Sequence, residues 1–255
     1  MLYKRRLLIC RPKAQGDKLT LSLQALGVQP ILFPTMVIEP IKATQASMPM
    51  RLSLQSIEQA NMILVQSPNS IVYLDQTSLM ALSKSQVIYA MGAGTQEALL
   101  SKNIVSHWVG ARGFSSESIL NHAPITTLSL GSKILLLTGE GGRAILEPAL
   151  IQKGFSCERV NTYQRTIPVY TKAERAAILA ELPDAILITS VESLKNLLHI
   201  FKEDKDKDKL LCLPLLVISQ RIQAEAIALG WQGKISVALS ASVEDISAIF
   251  LSFRF

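Results

Sequence analysis

The sequence predicts an α/β protein: two similar parallel-sheet domains joined by a two-stranded antiparallel ladder, with the chain crossing between them twice. Three observations predict it. Short apolar runs alternate with helical segments of roughly 10 to 15 residues, the rhythm of β-α-β units. The second half of the chain repeats the first, unit by unit. An extended, proline-marked segment follows the first unit of each half, at matching positions.

The strand candidates are 6–10, 30–33, 61–65, 87–91, 133–137, 157–162, 185–189 and 214–218. Runs 133–137 and 185–189 are apolar almost throughout, which implies burial on both faces. Such strands belong to parallel sheets covered by helices on either side, as in flavodoxin- or Rossmann-like folds.

The clearest repeat pairs "LLICRPKAQGDKLTLSLQALGVQPILFP" (7–34) with "ILLLTGEGGRAILEPALIQKGFSCERVN" (134–161), without gaps. Each copy reads strand, polar turn, helix, a helix-ending glycine (Gly27, Gly154) and a second strand. Next, "ANMILVQSPNSIVYL" (60–74) matches "PDAILITSVESLKNL" (183–197), with Ser67 over Ser190. "VIYAMGAGTQEAL" (87–99) matches "LLVISQRIQAEAI" (215–227) more loosely, with Gly92 near Ser219. "SSESIL" (115–120) and "ASVEDI" (241–246) share a helix N-cap pattern, Ser followed by acids in the first turn.

The segments "FPTMVIEPI" (33–41) and "VNTYQRTIPVY" (160–170) can pair as a ladder and carry the chain from one domain to the other. The first copy of the glycine-turn unit then completes its sheet with later units of the second half, and the second copy with units of the first half. Domain one is 1–36 plus 169–255, domain two is 41–162, and 37–40 and 163–168 are linker strands. Two such narrow crossovers would also serve as hinges.

Composition suits this architecture. A chain of 255 residues holds enough material for two small cores. Its 49% hydrophobic and 18% charged residues are the balance of a soluble α/β enzyme. No run approaches the ~18 apolar residues that a membrane span requires. The opening "MLYKRRLLICRPKAQ" sets basic residues before an apolar stretch. That stretch is only Leu7 to Cys10 before Arg11 interrupts it, so it reads as a strand and not as a signal. Cys10, Cys157 and Cys212 lie in apolar, strand-like surroundings without C-x-x-C or metal-ligand spacing. Reduced core thiols in a cytoplasmic protein are expected. His107, His122 and His199 are scattered, so no metal site is expected.

The formal net charge of +6 suits an anionic partner. The basic residues are spread out, and the densest charge run, "KEDKDKDK" (202–209), alternates in sign. This favours a small anionic ligand over nucleic acid.

Gly139, Gly141 and Ala144 fit the dinucleotide-binding pattern G-x-G-x-x-A. That pattern wants an acid at the end of the following strand, whereas "CERVNTY" carries Glu158 near its start. The other repeat copy has Pro12, Ala14 and Gln15 where this one has Gly139, Gly141 and Gly142. The glycines are therefore expected to shape a turn or admit a carboxylate, not to cradle a phosphate.

In this order along essentially the whole chain, a set of short motifs resembles the uroporphyrinogen-III synthase family. They are Arg11-Pro12 after the first strand, "ILVQSPNSI" (63–71), "AMGAGTQEAL" (90–99), "FSSESIL" (114–120), and Gly154 followed by Tyr163-Gln164-Arg165. Two departures stand out: Gln66 replaces the family's usual threonine, and "ISQRIQA" (218–224) has Ser219 for glycine and lacks the threonine. The resemblance implies two α/β domains joined by a ladder, with the active site in the cleft between them. It also implies closure of hydroxymethylbilane to uroporphyrinogen III, with inversion of ring D and loss of water. A polycarboxylate tetrapyrrole is then the small-molecule substrate. Neither cofactor, metal, nucleic acid nor membrane is involved. A monomer is implied, in transient contact with the enzyme that supplies its substrate. A two-domain receptor for a small anionic ligand would share the interleaved architecture but would need an export signal.

Carboxylates can be held by backbone N–H groups at helix N-termini and by arginines in the turns after parallel strands. On this basis the substrate-binding candidates are Arg11, Ser67, Asn69, Gly92, Thr95, Gly141, Arg143, Ser190, Ser219 and Arg221. Ser67, Asn69 and Ser190 are also good N-cap residues, and capping alone would account for them. Thr95 could be an ordinary first-turn residue, and the arginines could be solvated turn residues. By resemblance, Tyr163 is the catalytic acid that assists departure of the hydroxyl; the alternative is a strand tyrosine packed at the domain junction.

Overall fold

A parallel strand needs both faces covered, and that requirement organises each half of the protein. The structure, a computed structural model, describes residues 5–41, 50–85, 87–108, 120, 123–141, 145–202 and 207–252. It divides into two units, Met1–Val37 with Thr166–Phe255, and Ile38–Arg165.

In the first unit the strands are β1 (Arg6–Ile9), β2 (Gln29–Leu32), β9 (Ala185–Ile188), β10 (Leu215–Val217) and β11 (Ile235–Val237). Their order is β11-β10-β9-β1-β2, and every neighbouring pair is parallel. β1 therefore pairs with β9, which follows it by most of the chain: Leu7, Leu8 and Ile9 stand opposite Ala185, Ile186 and Leu187. Alternate residues feed two cores. Leu8, Ile186, Ile188, Leu215 and Val217 face one side, and Leu7, Ile9, Ala185, Leu187 and Leu216 the other. All of these are fully buried. Truncating any one of the larger chains to alanine costs about 2–5 kcal/mol.

The second sheet holds β3 (Val37–Glu39), β4 (Met62–Val65), β5 (Ile88–Ala90), β6 (His107–Trp108), β7 (Lys133–Gly139) and β8 (Ser156–Thr166), all in the second unit but for Val37 and Thr166 at its two boundaries. The sheet order is β3-β8-β7-β4-β5-β6, which makes β3 the edge strand beside β8. The four pairs from β8 to β6 are parallel. The two sheets thus follow one plan, with β11, β10, β9, β1 and β2 corresponding to β6, β5, β4, β7 and β8. The interleaved repeat is realised strand for strand.

Local signals set the helix ends. Gly27 and Gly154, the paired terminators of the repeat, have φ of 79° and 90°. That left-handed conformation suits glycine. Ser190, Ser219 and Ser242 cap their helices by accepting from the backbone N–H groups of Ser193, Ile222 and Asp245 at 3.0, 3.4 and 3.1 Å. Thr171 and Glu174 form a reciprocal capping box at the start of Lys172–Ala180. The matching cap pattern at 115–120 falls almost wholly outside the described residues. Among the described residues, no helix is long and apolar enough to cross a membrane.

Three points differ from the sequence reading. β6 and β11, of two and three residues, are too short to show a period. β8 runs unbroken for 11 residues, so the strand expected over 157–162 continues without interruption into the expected linker strand, with β3 as its neighbour. The thiols are also not uniformly core: Cys10 is buried and Cys157 half-buried, but Cys212 is exposed at the end of a helix, Lys207–Cys212.

Candidate active site

Both sheets bring their functional candidates to the carboxyl edge, where loops leave adjacent parallel strands. In the second unit the loops after β4 and β7 meet the far part of β8. The pairing of β7 with β8 runs in register as far as Thr138 opposite Asn161, then shifts so that Gly139 stands opposite Tyr163. The residue skipped is Thr162, which is fully buried and donates its hydroxyl to the Thr138 carbonyl at 3.2 Å. Such a bulge re-aims the side chains beyond it. Here it sets the Tyr163 ring over Gly139, while the Glu140 N–H donates to the Tyr163 carbonyl at 2.8 Å.

Tyr163 is 2% exposed. Its phenolic oxygen lies 3.1 Å from Ser67 Oγ, just past β4, and accepts from an Arg165 guanidinium N–H at 3.2 Å. Tyr163 and Arg165 are two apart on one strand, hence on the same face. The Arg165 guanidinium carbon also sits 5.6 Å from the tyrosine ring centroid, within cation–π range. Ser67 Oγ in turn accepts from the Asn69 N–H at 3.2 Å. Next to it, the Thr138 hydroxyl bonds the Gln66 side-chain oxygen, and the Gln66 N–H donates to the Leu137 carbonyl at 3.0 Å. Arg159 braces the strand behind: it donates to the Gly139 carbonyl at 3.3 Å and to Asn161 Oδ1 at 3.0 Å. It also lies 3.7 Å from the Glu147 carboxylate.

After β5, Gly92 is the extended N-cap of Ala93–Leu100 and supplies no side chain. Thr95 is 3% exposed in the first turn, so that helix start offers backbone N–H groups and not the threonine hydroxyl. Gly94 approaches Pro68, the residue after Ser67. Gly141 has φ of 77° in the turn after β7, a position that favours glycine. Arg143 lies outside the described residues.

In the first unit, Arg11 follows β1, Ser190 follows β9 and Ser219 follows β10, and these strands are neighbours. Arg11 is half-buried, and its buried Nε has no hydrogen-bond partner among the described residues. Burial holds its pKa below the usual arginine value. A guanidinium left in that state is ready to receive an anion. Ser190 and Ser219 act as caps, and Arg221 is exposed in the first turn of Gln220–Ala228. Among the described residues, no group of three or more His, Cys, Asp or Glu side chains is placed to hold a metal ion.

A family model described as uroporphyrinogen-III synthase HemD matches residues 17–248. The chain belongs to the uroporphyrinogen-III synthase family. Relatives include the uroporphyrinogen-III synthase of Escherichia coli K12, 25% identical over 231 residues, covering 89% of this chain and 92% of that protein. The Salmonella typhimurium LT2 enzyme of the same name is 26% identical over 239 residues, with the same two coverages of 89% and 92%. Among solved structures, the uroporphyrinogen-III synthetase of Helicobacter pylori 26695 has a TM-score of 0.62 at 16% identity, covering 98% of this chain and 100% of that one. A mutant uroporphyrinogen III synthase of Thermus thermophilus gives 0.55 at 17% identity, with 97% of each chain covered. The structural likenesses support the fold.

Within the uroporphyrinogen-III synthase family frame, both departures have a local account. Gln66 still takes part in the edge network, through its amide oxygen on Thr138 instead of a hydroxyl. Ser219 caps its helix by accepting from the Ile222 N–H. Sequence reasoning named Gly139 and Arg165 but not their parts here, the one beneath the tyrosine and the other its donor, and it did not name Arg159 behind the strand. Arg165 was legible from its spacing of two from Tyr163. The meeting of Gly139 with the tyrosine depends on a bulge that leaves no local mark in "RVNTYQR".

Proposed function

We propose that this protein closes hydroxymethylbilane to uroporphyrinogen III, with inversion of ring D and release of water. Membership of the family over 17–248 carries the reading, and the donor cluster around Tyr163 supports it. Departure of the hydroxymethyl OH as water leaves an azafulvenium-like electrophile. Attack by the substituted carbon of ring D then gives a spiro intermediate that reopens and recloses as the inverted isomer. The electron-rich pyrroles supply the electrons. The protein must supply a proton for the leaving hydroxyl and hold the chain in the conformer that leads to inversion.

The hydrogen-bonded cluster of Ser67, Tyr163 and Arg165 is the proton source in this scheme. Arg11 is suited to a propionate or acetate arm, and the helix starts at Gly92 and Ser219 offer N–H groups to others. The +6 charge favours encounter with a polycarboxylate. The reaction requires no redox step and no acyl carrier, so the reading needs no cofactor. It places a monomer in the cytoplasm, in passing contact with the enzyme that makes its substrate. Unpaired Cys10, Cys157 and Cys212 suit that compartment.

Turnover separates this reading from that of a receptor for a small anion. With substrate in large excess, the purified protein should consume many equivalents of hydroxymethylbilane, faster than spontaneous closure. Stoichiometric binding without acceleration would overturn the proposal.

A further inference from the structure

The hydrogen bonds around Tyr163 have a direction, and the direction decides which atom meets the leaving group. Arg165 can only donate, and it donates to the Tyr163 oxygen at 3.2 Å. Ser67 Oγ is the other polar neighbour of the phenol among the described residues, at 3.1 Å. A phenol buried to 2% exposure satisfies its own O–H, and the acceptor left for that proton is Ser67 Oγ. Ser67 Oγ also accepts the Asn69 N–H at 3.2 Å. Its two lone pairs are then engaged by Asn69 and Tyr163, and its own proton points elsewhere. Ser67 is only half-buried, whereas the tyrosine presents almost no surface to a ligand.

We infer that Ser67, not Tyr163, is the catalytic residue that hands the proton to the departing hydroxyl, as the outer end of a one-way chain Arg165→Tyr163→Ser67. This rests on the proposed ring closure. As the hydroxymethyl C–O bond breaks, its electron pair stays on oxygen. That oxygen takes the Ser67 proton and leaves as water, while the pyrrole nitrogen lone pair fills the carbon it left. Ser67 recovers a proton from Tyr163, whose oxygen carries the negative charge beside the Arg165 guanidinium. The proton lost when the closed macrocycle regains its pyrrole aromaticity returns along the same path, so nothing is consumed but substrate. Tyr163 and Arg165 are positioning residues: they load and orient the serine.

A double-mutant cycle tests the chain. Tyr163→Phe and Ser67→Ala should each lower kcat on hydroxymethylbilane, on the order of 10²-fold. The double variant should be no slower than the slower single one, and Ser67→Thr, which keeps the hydroxyl, should restore most of the rate. Should Ser67→Ala not fold, Ser67→Gly, which likewise carries no proton to give, takes its place in the cycle. Full activity in Ser67→Ala while Tyr163→Phe is impaired, full activity in both, or losses that multiply would each overturn the relay. If the unmodified protein makes no uroporphyrinogen III, the functional reading fails on its own. The chain is then judged by neutron diffraction from deuterium-exchanged crystals. A deuteron on the Tyr163 oxygen aimed at Ser67 is expected; one on Ser67 aimed at Tyr163 overturns the direction.

Discussion

Gly139 and Tyr163 face each other across two strands so closely that any side chain on the glycine would occupy the space of the phenol ring. A Cβ at Gly139 would overlap the ring carbons and come within 2.8 Å of the hydroxyl. This is the service the glycine of "TGEGG" performs: it makes room for a tyrosine and not for a phosphate.

The first prediction follows directly. Gly139→Ala should fold, with a stability cost of about 1–3 kcal/mol from overpacking. It should lose roughly 10²-fold in kcat, because a displacement of the order of an ångström at a donor is enough. Thermal unfolding alongside kinetics checks both parts. Near-normal kcat in a folded variant would show that the Tyr163 position is not tightly required.

Arg11 gives a prediction of opposite signs. Its guanidinium is half-buried with an unpartnered Nε, and burial already disfavours its charge. Arg11→Met removes a desolvated cation and keeps much of the packing volume. Stability should rise by about 1 kcal/mol, while KM for the polycarboxylate substrate should increase about tenfold. An unchanged KM would remove Arg11 from the binding surface.

The paired glycines of the repeat should respond alike. A Cβ at Gly27 meets nothing within 4 Å, so Gly27→Ala bears only the strain of its positive φ, about 1 kcal/mol. At Gly154 the same Cβ also comes within 2.9 Å of Leu130 Cδ2, the tip of an exposed side chain that can swing aside. Gly154→Ala should therefore cost about as much as Gly27→Ala by denaturant titration.

The thiols give a pH-dependent prediction. Burial raises the Cys10 pKa far above the ordinary 9.0, so the fold holds the neutral thiol. The stability this group contributes is complete below pH 9 and is lost as pH rises from there towards the folded-state value. Cys10→Ala should make the alkaline loss of stability shallower. Cys157 is pushed up to about 11, by burial first and then by the Glu147 carboxylate. At pH 8 iodoacetamide should accordingly label exposed Cys212 first, with Cys157 slow and Cys10 protected until unfolding. Equal labelling of all three in the folded protein would contradict the burial pattern.

Much of this architecture was legible because parallel sheets impose blunt requirements. Doubly buried strands must be apolar on both faces, as "ILLL" and "AILI" are, and helices that turn back must stop, as at Gly27 and Gly154. A repeat interrupted by two proline-marked segments therefore revealed the interleaving. The edge chemistry was only partly legible. Ser67 and Tyr163 were singled out separately, but their contact depends on a one-residue register shift at Thr162. That shift is fixed by a threonine hydroxyl on the neighbouring strand's carbonyl, a pairing between residues 24 apart that no local pattern encodes. Thr95 and Cys212 show the same limit from the other side. Burial within a short helix or exposure at its end is set by what packs there, not by residue type.

The most direct test of the account is the isomer composition of the product. Purified protein supplied with hydroxymethylbilane should yield uroporphyrinogen III, in a fraction that rises with enzyme concentration at the expense of the spontaneously formed type I isomer. Type I product alone, at any concentration of folded protein, would contradict the assignment of ring closure with inversion to this chain.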